Sequence, residues 1–76
     1  MSYLLYRDAA AVTPDDTATL TADALFVGSA GDIQVDMKNG QAAVLLTGVP
    51  VGVLPIQVSR VYSSNLTAGD IVALRL

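Results

Sequence analysis

The sequence predicts an all-β fold, a small antiparallel β-barrel or sandwich of about five to seven short strands. Three observations lead there. Val, Ile, Thr and Tyr are frequent and Glu is absent, which favours pleated strands over helices. Apolar residues recur at every second position, most cleanly in "GDIQVDMK" (31–38). Gly, Pro and Asn-Gly signals interrupt the chain at roughly eight- to twelve-residue intervals.

The elements follow in order. "MSYLLYR" (1–7) reads as a short strand or an extended arm. "AAAVTPDDTATL" (9–20) carries a capped-helix signal, with Thr13 as N-cap, Pro14 at the first position and Asp15 and Asp16 in the first turn. Its continuation "TATLT" forms helix poorly, so a single turn followed by extended chain is expected. "DALFV" (23–27) is a strand. In 31–38, Ile33, Val35 and Met37 point to one side, and Asp32, Gln34, Asp36 and Lys38 to the other. Asn39-Gly40 then signals a two-residue type I′ hairpin. Pairing Lys38 with Gln41 sets Met37 opposite Ala42, Val35 opposite Val44 and Ile33 opposite Leu46, a continuous apolar face. Leu45 falls on the polar side.

"GVPVGVLP" (48–55) is a bend, and "VLPIQVSRVYS" (53–63) a long strand. Val61 is out of phase with Val58, and a β-bulge at Ser59–Val61 would return it to the core. "SNLTAG" (64–69) is a loop and "DIVALRL" (70–76) a closing strand. The expected core is Phe26, Ile33, Val35, Val44, Leu46, Leu54, Ile56, Val58, Ile71 and Ala73. Val72 and Leu74 compete with Ala73 for the inner face of the last strand.

The 76 residues make one β-domain, 1–76, with 1–8 as an N-terminal arm or edge strand. A chain of this size buries only about 60% of its unfolded surface and usually needs a staple. Cysteine and histidine are absent, which removes disulfides, thiolate zinc sites and the commonest general base. The remaining staple is association. Composition agrees, with 53% hydrophobic and 14% charged residues and a mean hydropathy of +0.54. That is more apolar than a lone small domain requires, and part of it reads as surface covered by another chain. The net charge is −3, and no basic cluster exists for nucleic acid. No apolar run approaches a membrane span, and the N-terminus lacks the pattern of a signal peptide.

The loop "GSAG" (28–31) tests for chemistry. A phosphate-binding loop opens a helix, but here a period-two strand follows. No cation lies in the loop, and Asp32 would repel an anion. The loop therefore turns the chain. Asp8, Asp15 and Asp16 lack a calcium-loop pattern, and a turn role is expected for them. The serines lack a histidine partner. Tyr3, Tyr6 and Tyr62 could form a sugar-binding platform, but without tryptophan they read as packing residues. No catalytic, cofactor or metal site is expected, and the chain does not read as an enzyme.

Four motifs in order, "AVTPDDT" (11–17), "ALFVGSAGDIQV" (24–35), "GVPVGVLPIQVSRV" (48–61) and "TAGDIVAL" (67–74), resemble small proteins of tailed phages and gene transfer agents known as head-spike base proteins. The match covers most of 11–74. Arg75-Leu76 stands where that family often has an aromatic residue, and Ser59 stands where it often has Lys or Arg. The resemblance implies a virion structural protein on the capsid outer surface, a spike base or a decoration (cement) subunit. Its implied partners are the major capsid protein, copies of itself as a trimer or pentamer, and a head fibre protein, with no nucleic acid, membrane or cofactor. The alternative is a small carbohydrate- or host-receptor-binding β-module. If the chain assembles, Tyr3, Leu4, Leu5, Tyr6 and Arg7 of the arm, Leu45, and Val72, Leu74 and Leu76 of the last strand are the expected interface. Arg7, Arg60 and Arg75 are the expected charged contacts across it.

Overall fold

The computed structural model describes residues 6–76, so Tyr3, Leu4 and Leu5 lie outside the described residues. The strands are β1 (Asp8–Ala11), β2 (Ala24–Ser29), β3 (Gly31–Met37), β4 (Val44–Val49), β5 (Gly52–Leu54), β6 (Val58–Val61) and β7 (Gly69–Arg75). They form a four-stranded sheet in the order β1-β7-β2-β5 and a three-stranded sheet in the order β4-β3-β6. Every pairing is antiparallel.

The core lies between the sheets. Leu25, Val27, Ile33, Val35, Val58, Val61, Ile71 and Ala73 are buried. Val44, Leu46, Leu54 and Ile56 are half-buried against them. One expected core residue is misplaced: Phe26 points outward and is 39% exposed. In the run Leu25-Phe26-Val27 the strand alternates, so either the outer pair or the middle residue faces in. Leu25 and Val27 take the inner side. Of the last-strand competitors, Ala73 faces in, while Val72 and Leu74 are half-buried on the outer side.

The β3–β4 hairpin has the expected register, with Val35 opposite Val44 and Ile33 opposite Leu46, but reaches it through a different turn. Gly40 N–H donates to Met37 C=O at 3.1 Å, and Met37 N–H donates to Gln41 C=O at 2.8 Å. The loop thus holds three residues, Lys38 to Gly40. Only Gly40 has positive φ, at 104°, whereas a type I′ turn needs it at Asn39 as well. The slip of one residue is cancelled next door. Ala43 adopts a φ of 53° and donates its N–H to Asp36 Oδ1 at 2.8 Å. This bulge restores the parity of β4. Gly40→Val is expected to cost about 1–3 kcal/mol, because a β-branched residue resists positive φ. Chemical denaturation measures it; an unchanged midpoint would show that the turn relaxes freely.

The predicted long strand 53–63 is two strands in different sheets. Ile56 N–H donates to Leu54 C=O at 2.9 Å, a three-residue turn centred on Pro55. Proline supplies no N–H, so the ladder stops there. On β6, Asp36 pairs with Arg60 and Met37 with Val58, which leaves Ser59 extra. That is the expected bulge, and it buries Val58 and Val61 together.

No helical turn forms in 13–20. Asp15 Oδ1 accepts Thr17 N–H at 2.7 Å and Thr17 Oγ1 at 2.8 Å. Asp15, not Thr13, accepts the backbone N–H groups here, because a short carboxylate readily bonds the backbone two residues on. The extended segment runs beside β6. Asp15 N–H donates to Val61 C=O at 3.0 Å, Leu20 N–H to Ser59 C=O at 2.8 Å, and Ala22 and Val58 exchange bonds.

Ser29-Ala30-Gly31 is the corner where the chain passes from the first sheet to the second. Gly31 in this corner and Gly28 just before it serve close approach. A Cβ on Gly28 would stand 2.7 Å from Asp70 Cβ, and one on Gly31 only 2.5 Å from Ala68 N. The corner turns the chain, as the sequence indicates.

Candidate interaction surface

An antiparallel sheet with one face on a core usually shows polar residues on the other. The first sheet does not. Register places Ala11, Val72, Phe26 and Val53 side by side across all four strands. The adjacent row is Ala9, Leu74 and Ala24, of which Ala24 is fully buried. Cross-strand neighbours stand about 5 Å apart, so these side chains form one continuous apolar strip. Phe26 and Val53, at 39% and 53% exposed, are its exposed large side chains, and Val51, at 60%, lies just before β5. No charge falls in either row. Contiguous apolar surface on a small domain marks a contact site.

Asp70 stands at the head of this strip. It lies beside Gly28, is exposed and holds a φ of 53°, in the left-handed region. Next to it a groove of about 340 Å³ is lined by Val12, Leu66, Ile71 and Val72.

The second sheet has a polar outer face. Arg60 donates to Asp36 Oδ2 at 3.0 Å, and Tyr62 OH donates to Asp36 Oδ1 at 2.7 Å. The Arg60 guanidinium stands 5.7 Å from the centre of the Tyr62 ring. Asn65 Nδ2 donates to Gln34 Oε1 at 2.8 Å. Leu45, opposite Gln34, is 48% exposed on this polar side, as its parity implies.

Three carboxylates are held below the ordinary range by donors that favour the charged form. For Asp36 the largest cause is the Ala43 N–H, followed by Tyr62 OH, with the Arg60 charge adding to them. For Asp15 it is the Thr17 N–H, and for Asp16 the Ser64 hydroxyl. A depressed folded pKa contributes stability that is complete above the unfolded value and vanishes as pH falls through the folded one. The melting temperature is therefore expected to hold from neutrality down to about pH 4 and to drop below it. Asp36→Asn should shrink that acid drop. Melts that stay flat through the acid range would contradict this.

The expected interface residues are distributed as follows. Tyr6 is half-buried and Arg7 exposed, just ahead of β1. Val72 and Leu74 lie in the apolar strip, and Leu76 is 59% exposed beyond β7. Arg60 and Arg75 are engaged within the chain, Arg60 with Asp36 and Arg75 with Asp8 at 2.9 Å. Tyr6 and Tyr62 flank strands of different sheets, so they do not share a strand surface. The described residues bring together no group of three metal-ligating side chains. Sequence reasoning missed Phe26, Val53 and Asp70 at this surface. Leu25-Phe26-Val27 carried the parity ambiguity that hid Phe26, while Asp70 had no local signal.

No protein-family model matches the chain, and no curated protein matches it. Among solved structures it is similar to a chain of the capsid of a native GTA particle computed with C5 symmetry. The two are 25% identical, the match covers 93% of this chain and 84% of that one, and the TM-score is 0.81.

Proposed function

We propose that this protein is a structural subunit of a tailed-phage or gene-transfer-agent particle, seated on the capsid outer surface as a spike base or decoration subunit. The observation that carries this reading is the likeness over 93% of the chain to a component of a gene-transfer-agent capsid. That likeness supports a virion structural role. The surface supports it too: an apolar strip across four strands suits a scaffold that binds by area. In this reading the subunit meets the major capsid protein and assembles with copies of itself as a trimer or pentamer. The segment 1–7 and the outer side of β7 lie at those contacts, and a head fibre protein docks on the assembled base.

The test is biochemical. Particles purified from the producing cell should contain the protein in a fixed ratio to the capsid protein. A symmetry-averaged map should lose surface density when its gene is deleted. Particles that never carry the protein, or maps that do not change, would overturn the reading.

A further inference from the structure

Six of the seven aspartates are satisfied within the subunit. Asp8 holds Arg75, and Asp36 holds Arg60. Asp15 and Asp16 cap backbone N–H groups. Asp23 accepts Leu76 N–H at 2.9 Å, and Asp32 accepts Gly48 N–H at 2.9 Å. The Asp70 carboxylate accepts nothing from the described residues. It is also held at a φ of 53°, a conformation that side chains other than glycine's seldom keep without compensation. On the cation side, Arg60 and Arg75 are neutralised. Arg7 and Lys38 have no carboxylate partner among the described residues. Lys38 lies in the hairpin turn of the second sheet, whereas Arg7 adjoins the first, with its N–H bonded to Arg75 C=O at 2.8 Å.

Arg7 and Asp70 sit at opposite ends of β7. Arg7 lies level with Leu76, so six residues at about 3.3 Å each separate it from Asp70 by roughly 20 Å, too far for one arginine to span. The unmet charges are complementary, and a second copy brings them together. We infer that the Arg7–Leu76 end of one copy seats in the groove beside Asp70 of the next, with the Arg7 guanidinium on the Asp70 carboxylate. This deepens the homo-oligomeric reading above and rests on it. The groove suits that occupant. Val12, Leu66, Ile71 and Val72 give it apolar walls that accept an arginine stem or a leucine, and a carboxylate at its rim meets the guanidinium. Leu76, 59% exposed, gains cover in the same contact. The contact is head-to-tail, so repetition of it generates a ring when the rotation closes.

Light scattering on the full chain, wild type and variants, tests the seam. Wild type should assemble. Arg7→Asp and Asp70→Arg should each weaken association roughly tenfold or more, and the doubly swapped variant should reassemble. Asp70→Gly, freed of backbone strain, should melt higher than wild type yet fail to assemble; if Asp70→Arg does not fold, this variant decides. Single variants that remain assembled, a folded double variant that stays dissociated, or a monomeric wild type would overturn the seam. Incorporation into particles is scored separately. A monomeric wild type that still enters particles overturns the seam and leaves the capsid role standing. Assembly with swap rescue but no incorporation does the reverse.

Discussion

Gly31→Ala is expected to destabilise the protein by about 3 kcal/mol or more, at the upper end of overpacking costs. The added Cβ would stand 2.5 Å from Ala68 N, 2.6 Å from Thr67 C and 2.8 Å from Thr67 Oγ1. Two of these are backbone atoms, which cannot swing aside. The 67–68 backbone is also tied to Asp32, the residue next to Gly31. Thr67 N–H and Ala68 N–H both donate to Asp32 C=O, at 3.0 and 3.2 Å, and Asp32 N–H donates to Thr67 Oγ1 at 2.8 Å. Retreat would strain three hydrogen bonds, each worth about 1 kcal/mol net. A chain of this length has on the order of 4–11 kcal/mol in total, so the loss is a large share. Denaturant titration measures it. A loss below about 1 kcal/mol would show that the corner yields.

Leu25→Ala should cost about 3–5 kcal/mol and lower the melting temperature by more than about 12 °C. Leu25 is fully buried and paired between Ala73 on one side and Leu54 on the other. Ala73 is too small to fill the void, and the sheet backbone cannot collapse into it. Phe26→Ala should cost less, although phenylalanine is the larger residue, because part of its ring already meets water. Calorimetry on both variants checks the order. The opposite order would mean that β2 presents Phe26 inward.

Much of this fold can be read from the chain. The β3–β4 register followed from alternation, even though the turn expected for it was wrong. A three-residue loop and a bulge at Ala43 each shift the strand by one, and the shifts cancel. They had to cancel, because a net slip of one residue would turn Val44 and Leu46 of β4 away from the core. The Ser59 bulge was legible for the same reason: Val58 and Val61 are both apolar at a spacing that a regular strand cannot bury.

The surface was less legible. The last strand's second apolar side was visible in Val72, Leu74 and Leu76. Their continuation into Phe26 and Val53 was not, because it depends on β7, β2 and β5 lying side by side. The charges show the same limit. Arg60 and Arg75 look free in the sequence, and their carboxylates lie 24 and 67 residues away.

By itself the sequence determined the β class, the hairpin, the bulge and the absence of histidine and cysteine chemistry. These depend on residue type and on a period of two, which are local properties of the chain. Tertiary structure alone decided that 53–63 divides between two sheets, that Phe26 faces outward, and that Asp70 is left without a partner among the described residues. Each of these depends on which distant strand supplies the neighbour. Hydrogen bonding constrains that choice little, since almost any strand can satisfy it. The choice falls to the pairing that buries the most apolar surface with the fewest stranded polar groups.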